Sequence, residues 1–356
     1  MDDLKYIGMD VHQASIVAVV LDASGKVVME SILETRAETV LQFIGGLSGT
    51  LWVTFEEGIS AAWLHDLLKR HVAGVVVCDP RKNALLISGS KNDQIDARKL
   101  AGLLRAGLLS PVYHGESQER LLKELAHSYR ALTQDTTRVM NRLKAIYRGR
   151  AIRCPGQRVY NPRHRDDWLK QLREAGAHQR AARLYEELDG LQRLRRQARQ
   201  ELVSEARKHP ATADLTTIPF LGPVRAAVLI AIVGTPHRFR TKRQFWAYLG
   251  LGIQTRISGE YQLWGGRVQR TKRVLGLRGL NRNHNPELKQ LFKSMATEAS
   301  TRPGPWHDWF QARVKQGISP ALARLTLARK LAAITLTVWK KGRKYNDDEA
   351  LKLQAA

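Results

Sequence analysis

Only two cysteines, Cys78 and Cys154, occur in 356 residues, too few for a zinc site or a disulfide framework. No run approaches the roughly 18–20 apolar residues that a membrane-spanning helix needs. No secretory leader opens the chain either, so a cytoplasmic location without membrane contact is expected. Acid is scarce beyond the first third. Residues 116–356 hold 47 Lys/Arg against 20 Asp/Glu, whereas residues 1–115 hold 11 against 13. The net charge of +25 therefore belongs to the later part alone. A solvated surface would spread its charge more evenly. A basic block beside an acidic pocket fits a polyanion held by one part and acted on by another. Hydrophobic residues make up 43%, enough for real cores, and the length exceeds one ordinary core, so two or three domains are expected.

Residues 4–33 read as a β-meander, with Ile16–Leu21 and Lys26–Ser31 joined through Asp22-Ala23-Ser24-Gly25. A helix near Glu38–Gly45, a strand ending at Glu56, a helix over Ala61–His71, a buried strand Gly74–Cys78 closed by Pro80, and a helix Asp93–Ala106 follow. Three strands and then alternating helices and strands indicate an α/β domain with a mixed sheet. That order matches a ribonuclease-H-like fold, and periodicity does not separate it from other α/β sheets. From Glu116 the apolar spacing changes. Leu122, Leu125, Tyr129, Leu132, Thr136, Val139, Leu143 and Ile146 alternate in steps of three and four, a coiled-coil seam. An Arg-rich stretch with Pro155 and Pro162 interrupts it. A second helical run then carries Leu184, Leu188, Leu191, Ala198 and Leu202 on one face, weakened at Gly190 and Arg195. Two such helices can fold back as an antiparallel arm, pair with another subunit, or form a hairpin buried in one domain.

Residues 210–345 form a basic segment. Ile218-Pro219-Phe220-Leu221-Gly222-Pro223 leads into an apolar helix from Val224 to Val233. Helix capping and a helix-hairpin-helix grip on a phosphate backbone explain this turn equally well. Between Arg238 and Arg282 there are 11 Lys/Arg and one acid, Glu260, interleaved with Phe239, Phe245, Trp246, Tyr248, Tyr261 and Trp264. Cations among aromatics suit nucleic acid through phosphate pairing and base stacking. Phe245, Tyr248 and Leu249 have helical spacing and are expected inside. An amphipathic helix, Ala321–Trp339, and the basic run Lys340-Lys341-Gly342-Arg343-Lys344 close the segment, and 346–356 is a tail.

Four carboxylates of the first domain carry the chemistry. Asp10 lies in an apolar strand, where a lone carboxylate is costly to bury. Glu56 ends another strand, where α/β sheets place their sites. Glu57 is its competitor. Asp93 and Asp96 are three apart at a helix start, on one face. Singly, each has an ordinary role, Asp93 as an N-cap and Asp96 beside the helix dipole. Together they would repel one another unless a cation sat among them. Hard divalent ions take oxygen ligands, and acidic clusters holding them carry out in-line displacement at phosphodiesters. Mg²⁺ is the expected cofactor, with Mn²⁺ as its substitute. A Gly-x-Asp strand also opens sugar kinases and actin-like ATPases, but the glycine-rich phosphate loops of those folds are missing.

The segments Ile7-Gly8-Met9-Asp10-Val11-His12, Phe55-Glu56-Glu57-Gly58 and Lys91-Asn92-Asp93-Gln94-Ile95-Asp96-Ala97-Arg98-Lys99-Leu100-Ala101 resemble the amino-terminal signature of the DEDD transposases. These form the IS-one-ten family of insertion-sequence recombinases, related to Piv-type DNA invertases. Ile218–Pro223 resembles that family's I-P-G-I-G-P, and Phe245-Trp246-Ala247-Tyr248-Leu249-Gly250-Leu251 its F-x-x-x-L-G-L. Arg256-Ile257-Ser258-Gly259 is similar to the segment bearing the family's catalytic serine. The family usually continues Ser-Gly-Gly-Lys, where this chain has Glu260 and Tyr261 after Gly259. The resemblance implies a RuvC-like DEDD catalytic domain over residues 1–115, a coiled-coil helical arm over 116–209 and a mostly α-helical transposase domain over 210–345. It also implies Asp10, Glu56, Asp93 and Asp96 as metal ligands, Ser258 as a nucleophile that joins covalently to DNA, and a structured bridge RNA that selects donor and target. A homo-oligomer, dimer or tetramer, is expected to hold the DNA. Two other functions fit the same residues. One is a metal-dependent junction nuclease that uses water and forms no adduct. The other is a non-catalytic nucleic-acid-binding protein, against which the retention of all four carboxylates argues.

Overall fold

The computed structural model describes residues 3–79, 92–113 and 117–346. Pro80, Lys91 and the tail from 347 lie outside the described residues. The chain divides into two compact units, Met1–Glu116 and Ser117–Ala356.

The first unit is built on a five-stranded sheet of β1 (Leu4–Val11), β2 (Ser15–Leu21), β3 (Val27–Glu34), β4 (Thr50–Glu56) and β5 (Gly74–Cys78). Its order is β3-β2-β1-β4-β5. The meander β1-β2-β3 is antiparallel, and β1, β4 and β5 run parallel. Strand β2 is apolar from Ile16 to Leu21 because both of its faces are covered. Ile16, Ala18 and Val20 pack with Val40 and Ile44 of α1 (Ala37–Gly45) and Leu64 and Leu68 of α2 (Ala61–Leu68). Val17, Val19 and Leu21 pack with Ala97 and Ala101 of α3 (Asp93–Arg105). Helix α2 is one turn shorter than its sequence pattern predicts, because the chain turns at 69–73 to start β5.

In the second unit, α4 (Ser117–Arg148) and α6 (Ala175–Ala206) are 32 residues each and pack antiparallel. The partner of the α4 seam is therefore α6 of the same chain. At one end Leu122 and Ala126 share a core with Leu202 and Ala206. At the other, Val139, Leu143 and Tyr147 share one with Leu184, Tyr185 and Leu188. Between them the packing loosens. Tyr129, Leu132 and Leu191 are only half-buried, near the stretch where Gly190 and Arg195 interrupt the α6 seam, although Thr136 is buried. The Arg-rich interruption is itself ordered. It turns through two short 3₁₀ segments and α5 (Arg165–Lys170), burying Cys154, Val159 and Tyr160 in the distal core. The Tyr185 hydroxyl donates to the Val159 carbonyl at 2.9 Å, Trp168 meets Tyr147 edge-on at 5.4 Å, and Arg165 pairs with Asp189.

Helix α7 (Ala211–Leu215) leads into the motif turn and then α8 (Pro223–Val233), which is buried along nearly its whole length. Around it stand α9 (Lys242–Tyr248), α10 (Pro286–Thr301), α11 (Pro305–Lys315) and α12 (Pro320–Lys341). Phe245 and Leu249 are fully buried here and Tyr248 partly, as their spacing predicts. In the motif turn Phe220 has a φ of +66°, a left-handed conformation that a side chain with Cβ adopts at a cost. Phe220 occupies the position that is glycine in the resembled motif. Arg225 secures the turn, donating to the Phe220 carbonyl at 2.6 Å and to Glu298 at 2.8 Å.

Between α9 and α10 the chain forms a two-stranded antiparallel ribbon, β6 (Ile253–Trp264) and β7 (Arg267–Leu280). Its root is tied to the helices. Asn281 donates through its backbone to Gly252 at 3.0 Å and through its side chain to Ala247 at 2.9 Å. Arg329 donates to the Leu251 carbonyl at 2.6 Å.

Candidate metal and transposase site

Asp10 and Glu56 lie at the carboxyl ends of adjacent parallel strands. The β1–β4 register ends at Met9 opposite Phe55, so these two acids follow side by side. Ile7 and Met9 face α1 and α2, and by strand alternation Gly8 and Asp10 belong to the α3 face. Glu56 is in phase with Thr54, the partner of Gly8, and therefore belongs to that face as well. Glu57 lies beyond the strand, its N–H bound to the Cys78 carbonyl at 2.9 Å.

Helix α3 brings the other two acids. Its N-cap is Asn92, whose side chain accepts from the Gln94 N–H at 3.2 Å. Asp93 does not fill that role, so its carboxylate is available to the cluster. Asp93 and Asp96 stand in the first turn, where the helix dipole favours negative charge. The helix reaches the sheet because residue 8 is glycine. A Cβ there would come within 2.1 Å of the Ala97 carbonyl oxygen and 2.5 Å of the Ala101 nitrogen. Gly8, Ala97 and Ala101 together set the spacing that carries Asp93 and Asp96 to the end of β1. Gly8→Ala is expected to force the helix outward, destabilising the unit by about 1–3 kcal/mol and weakening divalent-cation binding. Denaturant unfolding and a Mg²⁺ titration check this; unchanged stability together with unchanged binding would contradict it.

Sequence reasoning missed His12. Its Nε2 lies 3.3 Å from Asp10 Oδ2 and 3.3 Å from Asp93 Oδ2. Asp10, His12 and Asp93 form a group with ligand atoms within 4.8 Å of one another. The signal was present, since a residue two beyond Asp10 projects to the same side when the strand continues.

The electrostatics join all four acids. Burial raises the Asp10 pKa above the usual carboxylate range; Asp93 and Asp96 raise it further, against the opposing pull of His12. Burial likewise raises that of Glu56, with Asp10 and Asp96 adding to the effect. Cys78, at the end of β5, has its thiol pushed up to about 11 by burial and by Glu56. Asp96 Oδ1 is ion-paired with Lys99 Nζ at 3.5 Å but accepts no hydrogen bond. An excess of carboxylates over nearby cations in a set of hard oxygen donors fits a divalent cation. Because the folded state holds the protons of Asp10 and Glu56 more tightly than the unfolded chain, these acids destabilise the metal-free fold progressively as pH rises through their folded pKa values. Asp10→Asn and Glu56→Gln are each expected to raise the metal-free melting temperature at pH 7 and to flatten its pH dependence relative to wild type. A lowered melting temperature in both would contradict the shared repulsion.

The sequence matches the family of DEDD transposases, described as "Transposase", over residues 7–149 and the "Transposase IS116/IS110/IS902 family" over residues 212–311. The chain belongs to the IS110 family of transposases. A curated relative, the "Insertion element IS116 uncharacterized 44.8 kDa protein" of Streptomyces clavuligerus, is 22% identical over 386 aligned positions covering 92% of each chain. Membership of the IS110 family makes the chain a DNA transposase, and the match to a DEDD family together with the acidic group at Asp10 and Asp93 suggests use of a divalent metal. Among the described residues no helix is long and apolar enough to cross a membrane. The fifth residue named by the IS110 resemblance, Ser258, lies in β6 opposite Arg273 of β7, in the second unit. Its backbone is described and its side chain is not.

Proposed function

We infer that this chain cuts and rejoins DNA strands through a serine-linked intermediate, using divalent metal held by Asp10, Glu56, Asp93 and Asp96. What supports the reading is that Asp10 feels the charge of Asp93 and Asp96, and Glu56 that of Asp10 and Asp96, where the carboxyl ends of β1 and β4 meet the amino end of α3. The strand order and the mixed sheet support a RuvC-like, ribonuclease-H-like fold for this unit. Mg²⁺ suits the oxygen donors, with Mn²⁺ as a replacement, and His12 borders the set. When bound, the metal supplies Lewis-acid polarisation of a phosphoryl group and neutralises charge on the leaving oxygen.

Ser258 is the nucleophile in this reading. Its hydroxyl oxygen forms a bond to phosphorus as the phosphorus–oxygen bond of one DNA strand breaks, the serine proton passes to a base, and the departing DNA oxygen is protonated. Attack on the phosphoserine by a hydroxyl of the second strand restores Ser258 and joins the DNA. The cations of the ribbon and of α9 hold the phosphate backbone, and the α4–α6 hairpin serves as an arm between DNA-bound subunits of a dimer or tetramer. A structured RNA encoded beside the gene selects the sites. The test is strand transfer with purified full-length chain, with and without co-purifying RNA and with Mg²⁺, Mn²⁺ or chelator. Transfer that needs both metal and one discrete RNA is expected. Metal-independent transfer would refute the acidic site, and full transfer after RNA removal would refute guidance.

A further inference from the structure

Four large hydrophobic side chains stand in solvent at the tip of the β6–β7 ribbon: Tyr261, Leu263, Trp264 and Val268 are 68%, 76%, 76% and 64% exposed. Leu263 pairs with Val268 and Trp264 with Arg267. The strands are joined at Gly265 and Gly266, whose φ values of 57° and 75° make the two-residue turn that fits a twisted hairpin. An apolar tip left in water indicates a binding surface.

The charge of the ribbon says what binds. The ribbon's sequence holds six cations, Arg256, Arg267, Arg270, Lys272, Arg273 and Arg278, against one acid, Glu260, which suits a polyanion as occupant. Flat aromatic rings beside cations match bases beside phosphates. A two-stranded ribbon fits the major groove of B-DNA, and apolar side chains inserted between base steps unstack and kink a duplex. The ribbon also carries Ser258, whose target under the proposed function is a DNA phosphodiester. Pairing from Ser258 to Trp264 runs without a shift, and the two positions share a phase of the strand's alternation. Six residues at roughly 3.3 Å each span about 20 Å, which is about six base pairs at 3.4 Å per step.

We propose that the ribbon tip is a DNA wedge, with Trp264 entering the base stack about six base pairs from the phosphate that Ser258 attacks. The wedge unstacks the duplex ahead of strand exchange, and the spacing makes the ribbon a ruler between distortion and cleavage. The spacing rests on Ser258 being the nucleophile; the wedge itself does not.

The test uses full-length chain bound to duplexes that carry 5-iododeoxyuridine at one position at a time. Irradiation is expected to cross-link the Trp264 peptide most strongly at about six bases from the phosphate joined to the protein. Trp264→Ala should lose the cross-link and weaken duplex binding roughly five- to a hundredfold, with an unchanged circular dichroism spectrum because the side chain lies in solvent. Ser258→Ala should keep the cross-link and lose the covalent joint. Wild-type duplex affinity in Trp264→Ala, or cross-linking of Trp264 to RNA or to a second copy of the chain in place of DNA, would overturn the wedge. A covalent joint at another residue with Trp264 still cross-linked to DNA would sink the Ser258 reading and support the wedge.

Discussion

Strand transfer falls to background when Ser258 is replaced by alanine, and no protein–DNA adduct forms: this is the largest effect the account expects. Loss of a covalent nucleophile can cost on the order of 10⁶ in rate. The substitution removes one hydroxyl from a strand whose pairing to β7 is made by backbone groups, so the ribbon should persist. Duplex binding and metal binding should remain close to wild type. That combination separates a nucleophile from a structural residue, which would lower binding and rate together. If Ser258→Ala cuts DNA at the wild-type rate and wild type yields no adduct, the chain is a metal-dependent nuclease that uses water.

Loss of the acidic cluster is the second large effect. Asp10→Ala, Glu56→Ala, Asp93→Ala and Asp96→Ala should each reduce strand transfer by about 10³-fold or more, since each removes charge from the site that stabilises the transferring phosphoryl group. None should unfold the chain. Burial and neighbouring carboxylates disfavour the charged forms of Asp10 and Glu56, so truncation relieves a penalty. Glu57→Ala should retain activity, because Glu57 lies beyond the strand phase that Asp10 and Glu56 share. An inactive Glu57→Ala beside an active Glu56→Ala would move the ligand by one residue, and wild-type transfer by Asp96→Ala would remove Asp96 from the set. His12→Ala should weaken metal binding less than Asp10→Ala, because neutral imidazole adds no negative charge to the site.

Much of the first unit was legible because its signals are local. Alternation and turn residues marked the meander, and the continuous apolar run of β2 reflected a strand covered on both faces; β5, expected to be buried, ends the strand order and is buried only at Val77 and Cys78. The acids were legible by type and spacing. Their convergence was not, since it depends on a helix lying directly against a strand. Gly8 permits that approach, and one glycine in a strand does not announce which backbone comes near. His12 went unread because an isolated histidine after a strand has many ordinary roles.

In the second unit the seams of α4 and α6 were visible but their partner was not. Burial at both ends and looseness at Gly190 and Arg195 show the two helices closing on each other within one chain. The ribbon was the largest structural feature unread. Its cations interrupt the alternation that marks a strand, although Trp264-Gly265-Gly266-Arg267 carried a hairpin signal. Phe220 is a further case, since a phenylalanine gives no notice of a positive φ that Arg225 and Glu298 hold in place.

The central claim is that an acidic metal site and Ser258 together make and break DNA phosphodiesters through the protein. Mass spectrometry of the peptide–nucleotide adduct from trapped wild-type complexes tests it most directly. The account predicts one adduct, on the peptide containing Ser258, formed with Mg²⁺ and absent from Asp10→Ala. Cleaved DNA with no attached peptide, or an adduct that forms equally in chelator, would contradict it.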